Sequence, residues 1–448
     1  MVTGPLLIVI FVLALAALFF LILKVRIEPF LSLILVAFAT ALVIGMPLKD
    51  IPGIVTTGFG NTLAGVGILI GLGVIFGQFL AASGAVEKIA QAVLKAFGPK
   101  ASPAGLGLTG TIVSIPVFFD AAFVILSGLV KSLASKTGIA VMTFVTSLGV
   151  GLIVSHNMVA PTPGPLVVAE NTGADLGLFI IYGVLCSIPA TLVGGFLYGS
   201  FIGKRLKHSG DIEVVEVATD AAQPRKEIST ALSFAMLCLP IVLILLNTIS
   251  KLIWPGTAIA SFFGFVGDKN IALLISTIVA IAALRPYISE KYSSLYAEAI
   301  NSAGIIILIT GAGGAFGAVI NKSGIGDYLI QSMQGLSIPI LLLAFVFSQI
   351  LRASLGSATV ALVTTSSILG PMIGELGVSP ILLGLAICAG GIGLSLPNDS
   401  GFWVVSRFGK LTVTQTLRAW TLGGFIAGLT ALATVYVFSL FSGILPGI

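Results

Sequence analysis

Long apolar runs separated by short polar stretches dominate the 448-residue chain. Their lengths predict membrane-spanning helices, because about 20 helical residues cross a hydrocarbon core. Spans are expected near residues 5–23, 29–46, 62–82, 138–158, 176–203, 230–250, 270–285, 298–320, 379–396 and 416–441. Two further apolar segments, about 104–131 and 338–371, are interrupted by Gly, Pro, Ser and Thr and predict tight hairpins that enter and leave on one side. Two spans also break. SHNMVAPTPGP at 155–165 carries three prolines and cannot remain helical, and LPNDSGFW at 396–403 interrupts its counterpart. The expected fold class is therefore an all-α polytopic membrane protein, an inverted repeat with two re-entrant helical hairpins and two broken transmembrane helices. Leu6 to Leu23 has no basic segment before it and no small-residue cleavage signature after it, so a retained helix is expected there.

Composition narrows the class further. The chain is 57% hydrophobic and 9% charged, against roughly 25% charged in a soluble domain, which excludes an ordinary water-soluble fold. Its 54 glycines read as sites of close helix approach and of helix breaks. Cys186, Cys238 and Cys388 lie in apolar runs without metal-ligand spacing and are expected as buried hydrophobes. A net charge of +5 could point to nucleic acid, but the basic residues sit in short loops, where topology explains them and no nucleic-acid partner is needed.

With the N-terminus outside and both hairpins re-entrant, the inner loops hold 17 of the 22 basic residues, as the positive-inside bias requires. Only Lys49, Lys251, Lys269 and Lys322 fall outside, and Arg352 falls within the second hairpin. This orientation predicts a multi-pass protein of the inner (plasma) membrane. An N-terminal half (1–206), a polar cytoplasmic linker (207–228) and a C-terminal half (229–448) are expected.

The halves are related. GLGVIFGQFLAASG at 71–84 matches GAGGAFGAVINKSG at 311–324, with identities at Gly71, Gly73, Phe76, Gly77, Ser83 and Gly84. At the same offset of 240, Asn61 pairs with Asn301 and Ser114 with Ser354; shifted by one residue, His156-Asn157 faces Pro397-Asn398. The first copy runs outward to inward and the second inward to outward, the inverted-repeat pattern of secondary transporters.

Polar groups at bilayer depth cost a few kcal/mol and need a partner or a purpose. The breaks carry such groups, and their helix N-termini offer N–H donors that suit a carboxylate. Arg352 can fork onto a substrate carboxylate or snorkel from a hairpin base. Asp399, beside Asn398, can bind hydroxyls, take a proton or cap a half-helix. Asp120 can hold a coupling proton or bond loose backbone. His156, next to Asn157, can relay a proton, bond substrate or simply be satisfied in the core. Ser114, Ser354, Ser357 and Thr359 can bond anion oxygens or the preceding turn. Glu170, Asn171 and Asp175 are expected in an outer loop, and Trp403 and Trp420 as packing or interface anchors.

NDSGFW at 398–403, GSATVA at 356–361, PVFFD at 116–120 and PTPGP at 161–165 resemble the gluconate permease family, as do GMPL at 45–48 and GFGNTL at 58–63. The resemblance covers nearly the whole chain. It implies a proton-coupled importer of gluconate or a related sugar or hydroxy acid, with D-serine carried by some members. It also implies the wider ion-transporter superfamily, with a homodimeric scaffold in the lipid and an elevator-like transport domain. Substrate contacts are implied at Ser114, His156, Asn157, Arg352, Ser357, Thr359, Asn398 and Asp399, with Asp120 and Asp399 for the proton. The chain departs from the family pattern where Asp120 replaces a glutamate. It departs again where Thr162 interrupts PPHP and where Ser395-Leu396-Pro397 lacks a histidine.

A sodium-coupled carboxylate carrier or D-serine-type amino acid carrier is the near alternative, and a channel belongs to a different class. An enzyme is not expected, since no metal-ligand cluster or nucleophile–base pair is evident, and no cofactor is called for. No GxxxxGK[ST] loop occurs, which argues against an ATP-driven pump.

Overall fold

The computed structural model describes residues 2–205, 227–325, 328, 339–370, 373, 377–396 and 399–448. Nearly all of the expected linker, together with Pro397 and Asn398, lies outside these residues. The described residues are helical and contain no strand.

Elements recur in one order on either side of residues 206–226. The first set is α1 (Leu6–Phe19), α2 (Pro29–Ile44), α3 (Ile51–Ala82), α4 (Ala85–Lys95), α5 (Ser102–Val113), α6 (Phe119–Thr137), α7 (Val141–Met158), α8 (Pro163–Thr172) and α9 (Leu176–Arg205). The second is α10 (Thr230–Ile253), α11 (Ala258–Val266), α12 (Lys269–Leu284), α13 (Tyr292–Lys322), α14 (Ile340–Leu355), α15 (Ala358–Leu369), α16 (Pro380–Ile392), α17 (Ser400–Phe408) and α18 (Val413–Ser439). In each set a long helix (α3, α13) precedes two interrupted pairs (α5/α6 and α7/α8; α14/α15 and α16/α17). A helix with a π-helical stretch then closes each set, Thr191–Leu197 in α9 and Leu417–Thr421 in α18.

Seven helices among the described residues are long and apolar enough to cross a membrane, counting α7 and α8 as one. Large apolar side chains exposed on α1, α2 and α9 to α13, such as Leu13, Val43, Phe262, Ile278 and Ile300, form the surface that lipid would cover. Two of the interrupted helices lie inside. Every residue of α7 from Met142 to Met158 is buried, as is every residue of α16 from Ile381 to Ile392.

Several elements differ from the sequence expectation. Helix α3 begins at Ile51, eleven residues before the expected start at 62, because Pro52 is tolerated in a first turn and the Gly-rich GFGNTL is held by packing. Thus Gly58 lies against α13, where an added Cβ would be 2.7 Å from the Gly314 carbonyl oxygen. Helix α13 likewise starts at Tyr292, and α16 stops at Ile392. Helices α4 and α11 are too short to register as spans. The largest correction concerns the expected outer loop. Pro163 opens a further helix, so Glu170 and Asn171 are helical residues of α8, while Asp175 caps α9 by accepting from the Leu178 N–H at 2.9 Å. Of the two readings for Trp420, packing holds, since it is buried. Cys186 and Cys388 are buried, and Cys238 is only half-buried.

Helices α3 and α13 pack along most of their lengths and run antiparallel: Gly58 and Thr62 meet Ala318 and Gly314, and at the other end Phe79 meets Tyr292 and Tyr296 with ring centroids 5.3 Å apart. The repeated glycines of these helices are where other backbone rests. Gly73 faces the Pro161 carbonyl oxygen of the α7/α8 break at 3.3 Å from its would-be Cβ, and Gly77 faces that of Pro116 in the α5/α6 break. On α13, Gly313 faces Val363 and Gly317 faces the Ser367 carbonyl of α15. Glycine seams also join α5 to α7, where Gly151 meets the Gly107 carbonyl, and α14 to α16, where Gly390 meets the Phe345 carbonyl. At Gly73, Gly77, Gly317, Gly151 and Gly390 contact with another backbone replaces side-chain interdigitation.

Gly151→Ala should therefore lower thermal stability in detergent by about 1–3 kcal/mol, since the new methyl meets a carbonyl that cannot move away. Gly71→Ala, whose Cβ would meet nothing within 4 Å, should leave stability unchanged or slightly raised. Equal melting temperatures for the two variants would contradict the seam.

Candidate functional site

The helix breaks converge on a cavity of about 320 Å³. Phe118, Phe119 and Asp120 come to it from the start of α6, and His156 from the last turn of α7. Arg352, Ser357 and Thr359 come from the α14/α15 break, and Asp399 and Ser400 from the start of α17. Helix α13 supplies the facing wall, with Ser302 and Thr310 among isoleucines 305, 306 and 309.

Each polar group is presented by local chain geometry. Gly356 takes the left-handed conformation (φ 67°) that ends α14, and Ser357 then caps α15, its hydroxyl accepting from the Val360 N–H at 3.4 Å. The GSATVA stretch thereby reverses direction within two residues and points an N-terminus at the cavity. Asp399 caps α17, accepting from the Gly401 N–H at 3.0 Å. The same carboxylate accepts from the Ser395 hydroxyl and from Arg352 Nη2.

Arg352 is 1% exposed, and its Nε and Nη1 donors have no protein partner among the described residues. Three-quarters of a turn earlier, Gln349 braces the α16 break. With its amide assigned by the groups around it, Nε2 donates to the Gly390 carbonyl at 2.7 Å and Oε1 accepts from the Leu394 N–H at 3.2 Å.

A second tier holds this pair in place. Trp420 Nε1 donates to the Ser395 hydroxyl at 2.7 Å, and Thr421 Oγ1 donates to the Ser395 carbonyl. The Trp420 ring stacks on Phe119 with centroids 4.9 Å apart, and Ser400 Oγ donates to Asp120 Oδ2 at 3.1 Å. Two contacts thus tie the start of α6 to the network around Asp399.

Of the residues singled out in the sequence, Asp120, His156, Arg352, Ser357, Thr359 and Asp399 meet in the cavity. His156 is 7% exposed, its ring 5.8 Å from that of Phe118, and its Nδ1 has no partner. Ser114 and Asn157 are not among the lining residues. The Ser114 hydroxyl donates to the Val117 carbonyl at 3.0 Å within the α5/α6 break, and Asn157 Nδ2 donates to the Gly391 carbonyl at 3.2 Å, tying α7 to α16. Asn398 lies outside the described residues. Ser395, Ser400, Trp420 and Gln349 were not singled out as site residues. Their signals were weak: single polar or aromatic residues whose partners are remote in sequence, except that Gln349 precedes Arg352 by three positions and so shares its helix face.

The arrangement can hold a small anion. A desolvated guanidinium with spare donors, the N-terminal ends of α15 and α17 and neutral hydroxyls favour a carboxylate, and the aliphatic wall of α13 fits a carbon chain. No group of three or more His, Cys, Asp or Glu that could hold a metal ion occurs among the described residues.

Removing one member of the buried pair should be costly. Asp399→Leu alone leaves Arg352 uncompensated and should destabilise the protein by about 3–5 kcal/mol, whereas Arg352→Met with Asp399→Leu should recover most of that loss. Thermal unfolding in detergent checks this, and equal melting temperatures for the single and double variants would contradict the pairing.

A family model described as GntP family permease matches residues 6–441. A low-affinity gluconate transporter of Escherichia coli K12 is 33% identical over 422 residues, covering 92% of this chain and 93% of that protein. A gluconate permease of Bacillus subtilis 168 is 30% identical over 448 residues, covering 97% and 99%. Among solved structures, the YdaH transporter of Alcanivorax borkumensis superposes with a TM-score of 0.66 over 93% of this chain and 99% of that one. At 16% sequence identity that likeness speaks for the fold alone.

Proposed function

This chain belongs to the GntP permease family, a family of transporters and not of enzymes, and we propose that it imports gluconate or a related sugar or hydroxy acid. One observation carries the substrate class: a buried Arg352 faces a cavity with two of its donor nitrogens unpaired. In this reading the carboxylate meets Arg352 and the N-terminus of α15 at Ser357 and Thr359. The hydroxyls of the acid meet Ser400, Thr310 and the free nitrogen of His156. Asn398 remains a proposed contact beside Asp399. Ser114 and Asn157 are proposed to act by bracing the breaks and not by touching the substrate.

Charge supports proton coupling. The cavity holds one guanidinium and two carboxylates, so an arriving anion needs a compensating positive charge. Asp399 already accepts from three donors, whereas among the described residues Asp120 accepts only from the Ser400 hydroxyl. We assign the coupling proton to Asp120.

An elevator-like movement has a matching seam. Helices α8 and α15 lie on α3 and α13 through glycines, and Val66, Ile70, Val74, Val167, Ala299, Ala303 and Val363 form a small aliphatic cluster separate from the main core. Among the described residues no hydrogen bond or ion pair joins α8 or α15 to α3 or α13, and the one charged tie of α8 to a neighbouring scaffold helix is the Lys269–Glu170 pair with α12. The inverted relation of the halves, the re-entrant hairpins, an outer N-terminus in the inner membrane and a homodimeric scaffold complete the proposal.

Uptake into proteoliposomes tests it. An imposed inward proton gradient should drive gluconate accumulation, and Arg352→Gln should raise KM at least about tenfold, the loss of one charge-assisted contact. Asp120→Asn should retain gluconate exchange while losing accumulation driven by the pH gradient. Accumulation by a sodium gradient at constant pH would contradict the proton assignment, and wild-type KM in Arg352→Gln would contradict the site.

A further inference from the structure

We propose that the chain holds a second anion site, an antechamber at the far end of α3 and α13, which receives the hydroxy-acid substrate on the import side before it reaches Arg352. This rests on the transport reading above.

A cavity of about 470 Å³ is lined by Lys49, Asp50, Thr57, Asn61 and Lys322. It adjoins one of about 200 Å³ lined by Thr62, Asn171 and Ser367, and the two share Gly58, Asn61 and Ala318. Together they form one recess, largely apolar in its walls but carrying these polar and charged side chains. The central cavity touches α13 over Ser302 to Thr310, whereas the recess touches it over Gly314 to Lys322. At 1.5 Å per residue the two stretches are centred about 18 Å apart along one helix.

Helix α15 is the wall between them. Its first turns present Thr359, Val360 and Val363 to the central cavity. Its last turn presents Ser367 to the recess, and the hydroxyls of Ser366 and Ser367 accept from Asn171 Nδ2 at 2.9 and 3.2 Å. Val363 packs with Val66, Ile70 and Val167 in the aliphatic cluster between the two. Aliphatic side chains of this cluster thus stand between the recess and the Arg352 site.

Its charges are unspent. Among the described residues neither Lys49 nor Lys322 forms an ion pair, and the Asn61 side chain makes no hydrogen bond. Two lysines against the single carboxylate of Asp50 leave the mouth net positive. This face is otherwise poor in cations, with four of 22 basic residues in the orientation predicted above. Of the other two, Lys269 is paired with Glu170 and Lys251 lines a separate cavity.

A topological bias that keeps lysines off this side makes two in one recess, neither ion-paired among the described residues, informative. Low-dielectric walls focus their field and concentrate anions at the mouth. The ammonium groups suit a carboxylate, and the Asn61 amide and the Thr57 and Thr62 hydroxyls suit the hydroxyls of the acid.

The test is gluconate uptake by the full chain in right-side-out membrane vesicles at several ionic strengths. Wild-type uptake at low substrate should fall as salt rises. The Lys49→Gln/Lys322→Gln variant should show a KM raised at least threefold at low salt, an unchanged maximal rate and a flat salt dependence. Lys49→Arg/Lys322→Arg should behave as wild type, and Lys131→Gln/Lys136→Gln, an equal charge change on α6, should have no effect. A glutamine variant with wild-type KM and salt dependence would overturn the antechamber, as would an equal loss in the α6 control. The two readings fail separately. A wild-type protein that takes up no sugar or hydroxy acid sinks the transport reading, whereas normal wild-type uptake with an unaffected glutamine variant sinks the antechamber alone.

Discussion

A guanidinium buried in an apolar helical bundle must be paired, and the pairing of Arg352 with Asp399 fixes where the chain has to break. Both groups sit at the ends of interrupted helices, Arg352 one turn before Gly356 and Asp399 at the cap of α17. A continuous helix at either place would satisfy its own backbone and leave no N-terminus facing the cavity. The pair is a poor source of stability, because desolvating two charges costs about what their attraction returns. Its retention at full burial therefore argues for use. Ser395, itself held by Trp420, and the Gly401 N–H both donate to the carboxylate, so Arg352 is oriented by groups that need not touch a ligand.

Around this centre the bundle is assembled through backbone. Where helices or breaks cross, a glycine on one element accepts a carbonyl from another: Gly73 and Gly77 on α3, Gly317 on α13, Gly151 on α7, Gly390 on α16. Such seams bring interrupted helices close enough to share a cavity of a few hundred cubic ångströms, and they leave the facing surfaces smooth. A permease must release one arrangement and adopt another without unfolding. Glycine and small aliphatic contacts suit that requirement better than interlocked polar side chains.

Much of this was legible in the sequence, because membrane burial forces the physics into composition. Prolines 161, 163 and 165 announced a break, the matching Gly71 and Gly311 blocks fall on the two packed helices α3 and α13, and isolated charges in apolar segments marked Asp120, Arg352 and Asp399. The structure brings those three together with His156, Ser357 and Thr359. What escaped was set by distance or by length. Helix α8 is ten residues long and starts on a proline, so Glu170 and Asn171 read as loop. The polar GFGNTL stretch is helical only because α13 packs against it. The Trp420–Ser395 bond joins residues 25 apart, and nothing in either neighbourhood foretells it. Ser114 and Asn157 have the right chemistry for a ligand, but the Ser114 hydroxyl and the Asn157 Nδ2 donate to backbone carbonyls of the chain.

The central claim is that the carboxylate of the transported acid rests on Arg352. Solid-state NMR on the protein in lipid, with ¹⁵N-arginine guanidinium and gluconate labelled with ¹³C at its carboxyl carbon, measures that contact directly. The account predicts a dipolar coupling corresponding to a carbon–nitrogen separation of about 4 Å, as a charge-assisted hydrogen bond requires, and its loss in Arg352→Lys. Bound gluconate with no guanidinium coupling, or with a coupling that survives in Arg352→Lys, would contradict it.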